Sequence, residues 1–512
     1  MTVTAPPGLR ARLSPLVRPP SAQERLRTPR ALDTARGWVT TLVVTAIAGV
    51  LRLWGVGWPR EKIFDEVYYP ANAAEILRQG YENSPGRLYV VHPPLGKWCI
   101  AIGIKIFGNN SYGWRVPTAI AGTIAVLILI RLVRRMTGST MLGAIAGLLL
   151  SVDGLSLVMS RTSLLDIFQQ PFILAGFACL VIDRDRVRER LAQAVQDGTI
   201  AAYRDQLGPR LGPRGWRLLG GVLLGASAAV KWNGVYFVAG FAILSIFWDR
   251  SARRSAGIRR PTRVTALLDL PFAVIALAIV PILSYLACWT GWFLGANGYD
   301  RHWSDTHPPK HFGFLPDVIY GPLRSLWHYH AEMLKFAESL SSYHPYRSQP
   351  WAWIVDGRPV NFYYPPDVKG CGSASCARQI VSLGTPALWW AFLPALLWMI
   401  WVFFSRWDWR AGAVLMAFLA GWATWLENTS RTMFFFYMTP LVPFLVIGVT
   451  LCLGDILGKR SDSETRYVIG LAIVCAYLAI VIINFAYLWP ILTGQKITYM
   501  QWSNRMWLSS WI

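Results

Sequence analysis

Two adjacent carboxylates, Asp65 and Glu66, sit in the stretch Ile63-Phe64-Asp65-Glu66-Val67-Tyr68-Tyr69, just after a strongly apolar segment that ends at Trp58-Pro59. If that segment crosses a membrane, the pair lies where water meets lipid, a place where acids are costly unless solvated or put to work. In a catalytic role, one carboxylate takes a proton from an attacking hydroxyl while the other holds a donor group or orients the base. Aromatic neighbours favour such a role by desolvating a carboxyl and raising its pKa. The plainer alternative is a solvated acid pair opening a helix, since acids favour helix N-termini.

Further ionisable residues map to the same outer level of the apolar segments: Arg52, His92, Arg115, Arg161, Asp166, Lys231, Glu427 and Arg431. They come from distant parts of the chain, and convergence on one level is what an active site requires. In His92-Pro93-Pro94-Leu95-Gly96-Lys97 the prolines fix an extended segment and then open a helix, giving His92 a set direction. A stiff turn with Lys97 snorkelling to headgroups is the alternative. Arg52, Arg115, Arg161 and Arg431 offer planar forks that suit phosphate and stay charged in a poor dielectric; interfacial snorkelling is the competing account. Asp166, about one turn beyond Arg161, is placed to be its partner. Lys231-Trp232-Asn233-Gly234 has the composition of a tight hairpin turn. The loop from Tyr343-His344-Pro345 to Trp351 is aromatic and polar, as are surfaces that bind sugars or extended peptides, or that lie in a membrane belt. No P-loop, zinc signature or Ser-His-Asp spacing stands out.

The elements that must position these groups are membrane helices. Of 512 residues 54% are hydrophobic and only 15% charged, too apolar for a soluble globular protein. Apolar runs of spanning length recur, whereas the short alternating segments of a barrel do not. The net charge of +22 collects in short loops, which is an orientation signal and an attraction to anionic lipid, with no nucleic-acid-binding signature beside it. The pattern predicts an all-α polytopic protein of about 11 spans, N-terminus cytoplasmic and C-terminus extracytoplasmic.

Residues 1–36 read as a disordered basic cytoplasmic tail, and the first span, at 38–54, as an uncleaved signal-anchor. A membrane module follows at 37–294, with a first outer loop at 58–112 carrying amphipathic surface helices at 67–78 and 95–107. The third span is expected at 141–159. A long extracytoplasmic loop occupies 295–384, and a second membrane module, with an external tail, 385–512. Cys371 and Cys376 share a polar loop, where a disulfide fits an oxidising compartment and two free thiols are the alternative. No internal repeat appears, which weighs against an inverted-repeat transporter.

Phe64-Asp-Glu-Val-Tyr68, Val91-His-Pro-Pro-Leu-Gly-Lys97, Arg161 with Leu164-Leu165-Asp166, and Lys231-Trp-Asn-Gly234 together resemble the protein O-mannosyltransferases, most of all the actinobacterial type. Leu326-Trp-His-Tyr-His330, Ser342-Tyr-His-Pro345 and Phe434-Phe-Phe-Tyr437 with Pro440 extend the resemblance, in order, over nearly the whole chain after about residue 37. The resemblance implies a GT-C fold without the soluble β-trefoil insert of eukaryotic members. It implies a polyprenyl-phosphate mannose donor and, as acceptor, Ser or Thr of a secreted polypeptide emerging through the Sec translocon at the cell membrane. On that pattern Asp65 is the catalytic base and Glu66 supports substrate placement. The substrate-binding set is then Arg52, His92, Lys97, Arg115, Arg161, Asp166, Lys231, His344 and Arg431, with no obligatory metal or cofactor. One base opposite the leaving group implies a single displacement with inversion. Tyr68-Tyr69 depart from the His found in many eukaryotic members. A GT-C enzyme acting on lipid or polysaccharide would carry similar first-loop acids. A transporter shares the multispan build but would tolerate Asp65→Asn.

Overall fold

A computed structural model describes residues 21–28, 33–83, 91–202, 207–307 and 317–512. Among them, seven helices are long and apolar enough to cross a membrane: Ala35–Leu53, Ser111–Thr137, Asp166–Gln196, Gly234–Ser255, Pro261–Cys288, Pro386–Arg406 and Glu464–Thr493. Thr140–Ser151, Gly215–Val230 and Val442–Leu457 are apolar but shorter. Their ends follow local chemistry. The side chain of Asn110 accepts from the amides of Tyr112 (2.9 Å) and Gly113 (3.2 Å) to start Ser111–Thr137, and Gly138, at φ 71°, stops it.

Small residues set how closely the helices pack. A Cβ on Gly221 would lie 1.9 Å from the Ala276 carbonyl oxygen, and one on Gly225 would lie 2.4 Å from that of Pro281. Gly215–Val230 therefore seats against Pro261–Cys288 backbone to backbone. At the end of the bundle away from the acid pair, Arg214 and Arg217 share Asp183 and Asp249, and Arg253 pairs with Asp269 at 2.6 Å, all buried.

Three features differ from the sequence expectation. The segment 141–159 is not one continuous helix. It breaks after Thr140–Ser151 and restarts as Gly154–Met159, because the Asp153 carboxylate accepts from the Ser156 amide (2.8 Å) and caps a new helix. The tail read as disordered contains an ordered helix, Ala22–Leu26, with a Ser21–Glu24 capping box. Leu26 is buried there against Val187, Leu191 and Ala252; residues 1–20 and 29–32 lie outside the described residues.

The third difference is that the fold is not purely helical. In the long loop, Val360–Tyr363 pairs antiparallel with Ile380–Ser382, and Cys376–Ala377 pairs with Ile497–Thr498 of the C-terminal tail. Trp502 Nε1 donates to Gln379 (2.7 Å) and Trp511 Nε1 to the Asp356 carbonyl (2.8 Å), so loop and tail form one layer. Cys371 and Cys376 are joined by a disulfide. Helices do form in the first loop, as Tyr69–Gln79 and Leu95–Phe107.

Candidate active site

The acid pair lies on a single 3₁₀ turn, Phe64–Val67, and its two carboxylates meet opposite surroundings. Glu66 is fully buried. It accepts from Arg115 Nε (2.7 Å) and Nη2 (2.6 Å), from the Ser163 amide (2.7 Å) and from the Ile63 amide (3.0 Å). Arg115, also fully buried, donates further to the carbonyls of Pro59 (2.6 Å) and Glu61 (3.0 Å). The pair is a bidentate rivet fixing the loop to the second span and to the 160–165 turn.

Asp65 is half-buried and makes no such pair. The Tyr69 hydroxyl bonds it, and Lys231 and Asp166 are its charged neighbours. Burial, with the Asp166 carboxylate adding to it and Lys231 opposing, pushes its pKa up to about 6.

Phe64 points Asp65 inward at a conformational cost: its φ is 47°, left-handed backbone that a non-glycine residue seldom adopts. Four rings hold it there. Phe362 stacks on it at 4.9 Å, while Phe434, Phe436 and His344 meet it edge-on at 5.6, 5.6 and 5.9 Å. His344 is therefore part of the brace behind the acid loop.

A cavity of about 200 Å³ opens among His92, Lys231, Trp232, Arg431 and Tyr437, roofed by Met333 and Ala337 of the helix Asp317–Ser339. Lys231 Nζ bonds both oxygens of Asp166 at 2.8 Å and lies 4.8 Å above the Tyr437 ring. The side-chain amide of Gln169 ties this turn down, donating to the Lys231 carbonyl (2.9 Å) and to Asn233 Oδ1 (2.8 Å). His92 lies beside Tyr69, and burial, helped by Lys231, Lys97 and Arg431, holds its pKa well below the usual imidazole value. It is neutral at neutral pH. Arg431 has no carboxylate partner among the described residues; its Nε is buried without a hydrogen bond and its guanidinium faces the Trp425 ring at 5.7 Å.

Of the sequence-derived residues, Asp65, His92, Asp166, Lys231 and Arg431 come together at or beside this cavity. The others do not. Arg52 is fully buried and donates to Ser156, Ser160 and the carbonyls of Ala48 and Leu150. Arg161 donates to the carbonyls of Leu51, Arg52, Trp54 and Gly55, closing the irregular exit of the first span. Its expected pairing with Asp166 is not formed, because Asp166 faces Lys231. Lys97 is buried on Glu82 (2.8 and 2.9 Å) and on the His92 carbonyl (3.0 Å), so it sets the His92 turn rather than snorkelling. Sequence reasoning passed over Tyr69, Asp153 and Gln169. A Gln169-Gln170 pair and an aspartate inside apolar runs are the signals that mark them.

This helical body carries an acid turn at the mouth of its first span and a cationic cavity beside it. Its fold is shared with a chain of the Saccharomyces cerevisiae protein O-mannosyltransferase Pmt1–Pmt2 complex, solved bound to the sugar donor (TM-score 0.74, 15% identity, 96% of this chain and 94% of that one). Family profiles for the C-terminal four TMM region of protein-O-mannosyltransferase and for dolichyl-phosphate-mannose-protein mannosyltransferase match residues 322–511 and 91–190. The polyprenol-phosphate-mannose–protein mannosyltransferase of Mycolicibacterium smegmatis is 43% identical over 94% of each chain. Those of Mycobacterium tuberculosis and Corynebacterium glutamicum are 42% identical (94% and 93% covered) and 36% identical (92% and 91% covered). The chain belongs to the protein O-mannosyltransferase family, and it is a mannosyltransferase.

Proposed function

We propose that this enzyme transfers mannose from polyprenyl-phosphate mannose to Ser or Thr hydroxyls of secreted polypeptides, at the extracytoplasmic face of the cell membrane. The relatives' names supply the donor and the protein acceptor. The observation that carries the chemistry is the contrast within the acid pair: Glu66 has its oxygens filled by Arg115 and two amides, whereas Asp65 has a raised pKa and faces the cationic side of the cavity. Asp65 is the base. Its carboxylate takes the hydroxyl proton as the acceptor oxygen bonds to the anomeric carbon, and the bond from that carbon to the phosphate oxygen breaks with its electron pair. The leaving phosphate is met by Arg431, which has no carboxylate partner among the described residues, with Lys231 beside it. Neutral His92 lines the same wall as a hydrogen-bonding group for the sugar. Arg52, Arg115, Arg161 and Glu66 are positioning residues.

One base on one face gives a single displacement with inversion and no obligatory cofactor. In this reading the seven long helices, the shorter apolar ones and Trp409–Trp422 make up about 11 spans. The N-terminus is cytoplasmic and the acceptor arrives from the Sec translocon. The test is mannose transfer by the purified enzyme in nanodiscs, from polyprenyl-phosphate mannose to a Ser/Thr peptide, with the product anomer read by NMR. Activity lost in Asp65→Asn and an inverted anomer are expected. A retained anomer, or an active Asp65→Asn enzyme, overturns the mechanism, and transfer to lipid or polysaccharide but not to peptide overturns the acceptor.

A further inference from the structure

A second and larger cavity, of 590 Å³, lies far from the acid loop between the helices Pro386–Arg406, Val442–Leu457 and Glu464–Thr493. Its walls are apolar and include Ala395, Val449, Leu453 and Ile473. Its volume falls in the range of small-molecule sites. The charged groups of its lining gather at one end, where Arg406, Asp455 and Arg466 ring the mouth.

That mouth is at the opposite side of the bundle from Asp65. Phe434 and Phe436, which hold Phe64, lie shortly before Val442–Leu457, and that helix carries the chain about 20 Å from its start to Asp455 at the mouth. Pro386–Arg406 runs the same way, from the loop layer to Arg406.

The charges at the mouth do not cancel. Asp455 accepts from Trp398 Nε1 (3.1 Å) and lies 3.5 Å from Arg406 Nη1. Arg466 has no ion-pair partner among the described residues, although it stands at the start of its helix beside Gly458, where the chain turns. One carboxylate is thus set against two guanidiniums. The net is a single positive charge above an apolar slot that opens between membrane helices.

We propose that this slot is a binding site for an anionic phosphodiester phospholipid of the leaflet opposite the acid loop. One acyl chain lies along the Ala395–Leu453 wall and the headgroup phosphate bridges Arg466 and Arg406. A guanidinium fork matches phosphate oxygens, and one negative charge is what the mouth lacks. The phosphate of the sugar donor is also a diester, joined to prenol and mannose, but its site is on the other side of the bundle, so the two lipid sites are separated by position.

The test is native mass spectrometry of the full-length enzyme released from nanodiscs of phosphatidylglycerol or of phosphatidylcholine. The expected result is a retained phosphatidylglycerol adduct on the wild-type chain and none with phosphatidylcholine. Arg466→Gln, an exposed position whose loss leaves the fold intact, is expected to lower adduct occupancy about tenfold, as fits the loss of one charge-assisted phosphate contact. Ala395→Trp is expected to abolish the adduct by filling the slot while both arginines remain. Mannose transfer by each variant reports that it is folded. Equal retention of the two lipids, undiminished phosphatidylglycerol on Arg466→Gln, or a second copy of the chain in place of lipid would each overturn the proposal.

Discussion

Glu66→Gln separates a positioning acid from a reacting one. The carboxylate accepts four hydrogen bonds, two of them from a fully buried Arg115. The amide presents one oxygen and an NH₂ group, so at least one arm of Arg115 or the Ser163 amide faces a donor instead of an acceptor. Arg115 keeps its charge with no counter-ion, a change that costs about 3–5 kcal/mol when a buried pair is broken from one side. Against a total stability of about 5–15 kcal/mol this is a large loss, and the variant is expected to melt well below the wild type. The loop also loses its tie to 160–165, and a shift of about 1 Å in Asp65 is enough to lower turnover by roughly 100-fold. The assay is the pH dependence of kcat in nanodiscs at a temperature where both proteins are folded, beside a thermal melt. A positioning role predicts low kcat, little change in donor KM, and an acid limb that still falls near pH 6, because the titrating group is still Asp65. A Glu66→Gln enzyme with wild-type melting and turnover would refute the reasoning. So would loss of the acid limb, which would make Glu66 the base.

In the wild type, the raised pKa of Asp65 means that the reactive, ionised form is lost as pH falls through about 6, so activity is expected to drop about tenfold per pH unit below that value and to level off above it. Arg431→Gln removes a cation that has no carboxylate partner among the described residues; donor KM is expected to rise about tenfold or more with an unchanged melting temperature, and an unchanged KM would remove Arg431 from the phosphate site. Lys231→Gln leaves Asp166 buried without its partner and should destabilise by about 3–5 kcal/mol, partly relieved by adding Asp166→Asn; equal melting of single and double variants would contradict the pairing. Gly221→Val would place a side chain within the space of the Ala276 carbonyl and is expected to abolish accumulation of folded protein, read by size-exclusion in detergent.

The acid turn, the His92 turn and the first-loop helices were legible because each rests on neighbours within a few residues: prolines before a helix, acids after a span, apolar spacing. The pairing of side chains was not. Arg52, Arg115 and Arg161 look alike in sequence, yet all three are turned onto protein oxygens, and only the irregular exit of the first span creates the carbonyls that Arg161 meets. Asp166 has Arg161 five residues before it and takes Lys231, 65 residues on, because helix Asp166–Gln196 turns that face toward Gly215–Val230. The break at Asp153 was hidden by the apolar residues around it, which satisfy a hydropathy window whether or not the helix is continuous. The strand pairing of 376–377 with 497–498 joins segments too short and too distant for any local pattern to announce.

The rings around Phe64 carry a consequence for biosynthesis. Asp65 is made early, but the Phe362, Phe434 and Phe436 that keep its turn in an otherwise unfavourable shape are translated hundreds of residues later. A ribosome-bound fragment ending before residue 434 therefore lacks two of the four rings that hold Phe64. The turn that carries Asp65 can take its final shape only once the chain has been made through Phe436.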